Sequence, residues 1–197
     1  MTPMTEKTGR NLEAGISYAA TDMFAAGDQV SAKLTIFRNH IHDRIERTNA
    51  HFPTPAYVNI DRAYLHGGEF EASYVSGGWT LGAAIAVVGG EDQDGADLNS
   101  LPNNRLTANA SWQVRPSWRV GALRTFAAGR DKPDGSRRAG YGVQDIFATW
   151  SPQAGTAQGI EVTLGIDNVT DRSYVPATWL TGPAPGRNVK VTLTRAF

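Results

Sequence analysis

The 197-residue sequence contains no cysteine. This absence excludes a disulfide framework, a thiol nucleophile and a cysteine-based metal site. It also has no excess of charge, since 19 lysines and arginines balance 19 aspartates and glutamates. A nucleic-acid-binding protein needs a concentrated positive surface, so we expect no nucleic-acid partner. A helical membrane protein is excluded as well, because the longest uncharged stretch, 72–90, is interrupted by Ser, Gly and Thr and a spanning helix needs roughly 20 apolar residues.

The start of the chain lacks a recognisable export signal. Its first residues, MTPMTEKTGRNLEAG, contain no basic segment followed by an apolar core, which is the pattern of a secretory signal peptide. We therefore expect either a cytoplasmic protein or a piece of a longer one.

Apolar and polar residues alternate with a period of two along much of the chain, which predicts an all-β fold. In the clearest segment, 106–113, one face holds Leu106, Ala108, Ala110 and Trp112. The 21 glycines, 5 tryptophans and 6 tyrosines agree with this fold class. Nine strands are predicted, at 10–18, 30–37, 63–74, 79–89, 106–113, 118–128, 141–151, 160–167 and 189–197.

Short and long links alternate between these strands. The short links are 19–27, 75–78, 114–117 and 152–158, and the long links are about 40–60, 90–103, 129–140 and 169–187. In an up-and-down antiparallel sheet, all short links lie at one end and all long links at the other. This layout is typical of an outer-membrane β-barrel, with short periplasmic turns and long extracellular loops.

Aromatic residues on the apolar strand faces lie beside the short links or at the chain end: Tyr18, Tyr74, Trp79, Trp112, Trp118, Trp150 and Phe197. Rings gathered at one level on an outer face are typical of a membrane–water interface. The alternative is a soluble β-sandwich with aromatics near its strand ends, but a sandwich has no reason to gather them at one end. The opposite faces carry polar and charged residues, such as Lys33, Glu69 and Glu71, which favour a wet lumen.

Two arginines break the alternation. Arg124 falls between Ala122 and Phe126 on the face assigned to lipid, where an arginine near the midplane costs roughly 2–4 kcal/mol. A bulge at Gly121, or a position at the outer rim of the barrel, would avoid this cost. Arg195 lies near the chain end and therefore near the membrane interface, where the cost of an arginine falls to about 0–1 kcal/mol.

Six short motifs in order resemble the C-terminal part of TonB-dependent outer-membrane receptors. The residues that carry the resemblance are 10–15 (RNLEAG), 34–39 (LTIFRN) followed by Ile41 and Ile45, 59–63 (NIDRA) leading to 68–72 (GEFEA), 98–106 (LNSLPNNRL), 167–171 (DNVTD) with Tyr174, and 185–188 (PGRN) with a terminal Phe. The resemblance covers essentially the whole chain, residues 1–197. Within the family it is closest to haem or haemoglobin receptors.

The resemblance implies part of a 22-stranded transmembrane barrel that imports haem or a ferric siderophore, with no resident cofactor and no enzymatic activity. Its implied partners are outer-membrane lipid, the TonB complex through an N-terminal region that this sequence does not include, and the barrel assembly machinery through the C-terminal strand. Nine strands is an odd number, whereas bacterial single-chain barrels have an even number. We therefore expect a fragment, without the plug domain. A small porin-like barrel is the alternative reading.

Three histidines cluster in the first long link: His40, His42 and His51. Imidazole is a suitable ligand for haem iron, so these are the candidate ligand-binding residues. The alternative is that they are solvated loop residues. His66, on an outward strand face, is predicted to be interfacial. The basic residues of the third long link, Arg130, Lys132, Arg137 and Arg138, could attract an anionic ligand or lipid phosphates, or could simply be solvated.

Overall fold

The computed structural model describes residues 6–47, 57–98, 101–131, 135–176 and 182–195. These residues form eleven β-strands. The strands are β1 (Thr8–Thr21), β2 (Gln29–Arg47), β3 (Tyr57–Ser76), β4 (Trp79–Asp92), β5 (Arg105–Arg115), β6 (Trp118–Ala127), β7 (Arg130–Asp131), β8 (Arg137–Arg138), β9 (Tyr141–Trp150), β10 (Ile160–Asp167) and β11 (Asn188–Arg195). Among the described residues no helix is long and apolar enough to span a membrane.

Nine of the strands form one antiparallel sheet in the order β1-β2-β3-β4-β5-β6-β9-β10-β11. Each strand pairs with its neighbour along the chain, apart from the two-residue hairpin of β7 and β8, which lies in the third long link. The predicted nine-stranded up-and-down sheet is confirmed. The strands form a single continuous sheet and not the two facing sheets of a β-sandwich, so the sandwich alternative is wrong. β1 and β11 are the two edges of the described sheet.

The register gives the sheet one apolar and one polar face. Rows of directly opposed residues such as Ile16, Leu34, Phe70 and Ile85 form the apolar face. The polar face carries the residues predicted to face a lumen: Glu13, Ser17, Lys33, Thr35, Glu69, Glu71, Asn109, Gln113, Glu161, Thr163, Asp167, Lys190 and Thr192. Within that face Lys190 pairs with Asp167, and the Thr149 and Thr163 hydroxyls lie 2.9 Å apart. Because removing so many charged and polar side chains from water would cost much free energy, that face is suited to water and not to a dry core.

The link predicted at about 40–60 is much shorter than expected. β2 continues to Arg47 and β3 begins at Tyr57, and the two strands remain paired up to Arg47 and Tyr57. The prediction ended β2 at residue 37 because polar and charged residues occupy both faces beyond it, which removes the period-two signal. The two strands continue nevertheless, because hydrogen bonds between their backbones do not depend on alternating side chains.

Gly121 is not a bulge. It pairs in unbroken register with Ser111 on one side and Phe147 on the other. A Cβ at Gly121 would lie 2.5 Å from the Phe147 ring, so glycine is required because that ring covers it. The one register shift between β5 and β6 lies at Gln113–Arg115. Arg124 therefore stays on the apolar face, with its guanidinium 4.6 Å from the centre of the Phe126 ring.

Among the described residues, the most buried apolar side chains lie on the polar face, at the long-link end. Leu98 and Leu101, from the β4–β5 link, are 3% and 1% exposed and pack with Ala63 on β3. Leu65 and Val88 pack around this group. The second long link thus folds back over the sheet instead of extending away from it.

Candidate functional site

The predicted interface aromatics gather at the short-link end of the apolar face. Six lie in the described residues: Tyr18, Tyr74, Trp79, Trp112, Trp118 and Trp150. Trp79 is directly opposite Trp112, and Trp118 is directly opposite Trp150. The first pair is stacked, with ring centres 5.5 Å apart and planes at 8°. Phe197 lies outside the described residues.

A buried carboxylate shapes the first short link. Asp28 is 0% exposed and accepts hydrogen bonds from the backbone amides of Met23, Phe24 and Ala25, at 2.7, 2.8 and 2.9 Å. Burial raises the pKa of the Asp28 carboxyl, but these three bonds and one from the Tyr74 side chain outweigh it and hold the pKa below its usual value. The link is therefore closed around a charged group.

Asp28 also positions an apolar surface that the strand alternation did not reveal. Phe24, at the tip of the link, is 72% exposed, and its ring meets that of Tyr74 edge-on at 6.0 Å. Met23 beside it is 49% exposed. Two large apolar side chains in one short link could have indicated this surface in the sequence. They were missed because a period-two pattern assigns a face only to residues within a strand.

Two of the three candidate histidines lie on a strand and not in a loop. His40 and His42 are on β2, two residues apart and in register with Tyr64 and Arg62 of β3. His40 packs edge-on against Tyr64 with ring centres 5.0 Å apart, and its Nε2 is buried with no hydrogen-bond partner among the described residues. By alternation both belong to the apolar face, beyond its aliphatic rows. His51 lies outside the described residues, so the proposed ligand set stays a prediction.

Two of the four basic residues of the third long link donate hydrogen bonds to other parts of the chain. Arg138 donates from Nη1 to the Leu101 carbonyl oxygen at 2.6 Å and to Asn103 Oδ1 at 3.2 Å. Arg130 donates to the Val88 carbonyl oxygen. Arg138 therefore fixes the second long link over the polar face, and Arg130 also donates to Asn104 Oδ1 at the end of that link, at 3.3 Å. Arg137 forms an exposed ion pair with Asp131 at 2.7 Å; Lys132 lies outside the described residues.

In the part of the chain that the structure describes, the carboxylates of the polar face are spread along the sheet and not gathered in one metal-holding cluster. Glu69 and Glu71 lie opposite Thr35 and Lys33 of β2, spread along an open sheet face. No three His, Asp or Glu residues converge there to hold a metal ion. What the face provides is a polar wall, closed at the long-link end by the packed second link.

The sheet is antiparallel throughout and has one apolar and one polar face, as the resemblance noted above implies, and a comparison with protein families agrees. Residues 6–169 match the family described as TonB dependent receptor-like, beta-barrel. The chain belongs to this family. Its members lie in the outer membrane and are receptors and transporters.

The related sequences carry names from haem uptake. Heme/hemopexin utilization protein C of Haemophilus influenzae (strain 86-028NP) is 27% identical over 205 residues, which cover 97% of this chain and 29% of that protein. The hemin receptor of Yersinia enterocolitica is 26% identical over 200 residues, covering 93% of this chain and 29% of that protein. The chain thus spans about three-tenths of the length of these curated relatives.

Solved structures share the fold at lower sequence identity. The copper transporter OprC matches with a TM-score of 0.79 and 20% identity, over 99% of this chain and 32% of that one. The FrpB iron transporter from Neisseria meningitidis (F3-3 variant) matches with a TM-score of 0.71 and 22% identity, over 98% of this chain and 32% of that one.

Proposed function

We propose that the chain forms part of the barrel wall of an outer-membrane receptor that takes up haem with energy supplied through TonB. The observation that carries the proposal is the alignment of 93–97% of the chain with proteins named for haem and hemopexin utilization and for hemin reception. Ferric-siderophore uptake is the alternative cargo within the same family. Haem is cargo here, and the proposal includes no resident cofactor.

The two faces of the sheet support a wall between lipid and water. The apolar face would contact acyl chains, and the polar face would line the lumen. The stacked Trp79 and Trp112 and the opposed Trp118 and Trp150 would lie at the periplasmic interface, since short turns are periplasmic in this class of barrel. Phe24 and Met23 extend that apolar surface beyond the strand ends.

The haem-ligand role of His40, His42 and His51 rests on the chemistry of imidazole and on the haem-related names of the relatives. His40 and His42 lie at the long-link end of β2, and long links are extracellular in barrels of this class, which supports a position near the extracellular mouth. Haem coordination by these residues would require the segment that contains His51 to approach them.

Two further partners follow from the same proposal. The TonB complex would act through a plug region of the intact receptor. The barrel assembly machinery would recognise the last strand through its unpaired edge, where free backbone groups can pair with another strand. β11 is such an edge in the described sheet.

A hybrid receptor tests the cargo. Residues 1–197 would replace the matching segment of Heme/hemopexin utilization protein C, and growth on haem as the iron source would be compared with growth on a ferric siderophore. The control is a hybrid that carries the matching segment of the copper transporter OprC. We expect growth on haem from the hybrid that carries residues 1–197 and not from the hybrid that carries the OprC segment. If the hybrid with residues 1–197 grew only on the siderophore, at equal surface expression, the proposal would be contradicted.

A further inference from the structure

One cation lies on the apolar face among the rows assigned to lipid. Arg124 of β6 is exposed on that face and lies directly opposite Gln144 of β9, which is also polar. The guanidinium of Arg124 lies 4.6 Å from the centre of the Phe126 ring, which is the next residue above it on that face. We call Arg124 and Gln144 the polar pair.

The depth of the polar pair follows from strand geometry. Arg124 lies six residues along β6 from Trp118, and Gln144 lies six residues along β9 from Trp150, the two tryptophans being opposed at the predicted interface. At about 3.3 Å per residue, this distance is roughly 20 Å along the strand. A tilt of about 35–45° reduces it to about 15 Å along the membrane normal. Since the apolar band of such barrels is about 25 Å tall, the polar pair lies inside it.

A charged group at this depth needs a polar partner. Ionisable side chains within a membrane are rare and pair with other polar groups, because lipid tails offer no hydrogen bonds. Within the described ranges, neither the guanidinium of Arg124 nor the side-chain amide of Gln144 has a hydrogen-bond partner. The Phe126 ring attracts the cation but does not satisfy its N–H groups. The polar pair therefore presents both donors and an acceptor to a neighbour in the membrane.

The polar pair is complementary to a second copy of itself. Two copies inserted the same way up in one membrane can be related by a twofold axis along the membrane normal, which makes the two contacts identical. With that axis between β6 and β9, Arg124 of each copy faces Gln144 of the other at nearly the same depth, because the two residues are directly opposed within one sheet. The guanidinium donates and the glutamine carbonyl oxygen accepts, so each copy satisfies the other.

The residues around the polar pair leave room for a facing wall. Ala108 lies opposite Arg124 on β5, Ala122 lies below Arg124 on β6, and Gly142 lies above Gln144 on β9. Small side chains let two surfaces in a membrane approach closely enough for polar groups to meet. A lipid acyl chain also fits such a surface, but it provides no acceptor for the guanidinium.

We propose that the polar pair joins two copies of the chain, each within its receptor, through reciprocal hydrogen bonds between Arg124 of one copy and Gln144 of the other. The site is incomplete without the partner copy, since each chain supplies one donor group and one acceptor. The proposal depends on the membrane setting of the family and not on the transported cargo, so haem uptake can fail without affecting it.

The test is thiol crosslinking of the hybrid receptor in isolated outer membranes. The chain has no cysteine, so one thiol is introduced into a cysteine-free hybrid, by Ala122→Cys beside the polar pair or by Ala32→Cys on the same face of β2. A short bifunctional maleimide should join the first variant into a dimer and leave the second monomeric. Added to Ala122→Cys, Arg124→Leu or Gln144→Leu should each lower the crosslinked fraction at least about tenfold, because hydrogen bonds to a charged group are lost.

An exchange of the two side chains separates specific pairing from a loss of folding. The double variant Arg124→Gln, Gln144→Arg keeps the reciprocal contact and should restore the dimer at equal surface expression. Equal crosslinking at both cysteine positions would show random collision, and no crosslinking at either would show a monomer. A dimer that persists in either leucine variant, or that the exchange does not restore, would not be held by the polar pair. Each of these results overturns the proposal.

Discussion

Arg138 donates a 2.6 Å hydrogen bond to the carbonyl oxygen of Leu101, which joins the third long link to the second. The Leu101 side chain is 1% exposed and packs with Leu98 and Ala63 on the polar face. Arg138, which the sequence analysis considered as a residue that attracts an anionic ligand, therefore joins two links of the structure. We call this contact between Arg138 and Leu101 the clasp. Backbone carbonyl groups near a buried apolar side chain need such donors because water cannot reach them.

Replacing Arg138 by Met should loosen the second link. A hydrogen bond to a charged group contributes roughly 1.5–3 kcal/mol, so the local opening of residues 97–104 should become easier by about that amount. Amide hydrogen exchange of the link in detergent measures it. Arg137→Met is the matched control, because Arg137 forms an exposed ion pair with Asp131. Equal exchange in the two variants would show that the clasp is not stabilising.

Replacing Asp28 by Asn should open the first short link. The amide side chain keeps the size but loses the negative charge that accepts three backbone amide bonds. Because the folded pKa lies below the usual 3.8, the charge stabilises the link fully above pH about 3.8 and that stabilisation is lost as the pH falls through the lower, folded value. Proteolysis within 22–28 at neutral pH should increase in the variant. Asp22→Asn, a change to an exposed residue, is the comparison; Asp22 accepts a single amide bond, from Gly27.

The sequence predicted the nine strands because one apolar and one polar face impose a period of two. The segments 106–113 and 160–167 fall inside β5 and match β10 for this reason. The signal failed where both faces are polar, so the outer parts of β2 and β3 were assigned to a loop. Where paired strands extend beyond the membrane, both faces meet water, so apolar and polar residues do not alternate along the sequence.

The contacts that the links make could not be predicted from the sequence. The clasp joins Arg138 to Leu101, 37 residues away along the chain, and Asp28 meets Tyr74 across β2 and β3. Such contacts depend on how the links fold over the sheet, which periodicity does not encode. The interface aromatics were found because they lie within strands, whereas Phe24 lies outside one.

Changing His40, His42 and His51 together to Ala tests the haem-ligand prediction. In the hybrid receptor this triple should weaken haem binding by at least about tenfold if imidazole coordinates the iron, as measured by the haem absorption band. His66→Ala is the control, since His66 shares the apolar face with His40 and His42 but was not predicted to be a ligand. Unchanged haem binding in the triple would return these residues to a solvated or lipid-facing role.

The isolated chain should not form a stable closed barrel in detergent. β1 and β11 are edges of the described sheet, and unpaired backbone groups cost several kcal/mol each in an apolar medium. We expect no heat-modifiable, protease-resistant monomer on electrophoresis, in contrast to the hybrid receptor. A resistant monomer that conducts ions would favour the small porin-like barrel instead.

The last strand should support barrel assembly less well than a strand with a stronger signal. Val189, Val191, Leu193 and Arg195 follow one another on the apolar face of β11, opposite Ile166, Leu164, Val162 and Ile160. An alternating apolar series ending in Phe197 resembles the family's assembly signal, but Arg195 stands where the family usually has an aromatic. Grafted onto a complete receptor, the strand should therefore give less outer-membrane protein than the same strand with Arg195→Tyr, and deletion of Phe197 should lower the yield further. Yields are compared at equal expression, with Thr194→Val on the polar face as the control. Equal yields from all grafts would mean that the alternation serves only to pack against lipid.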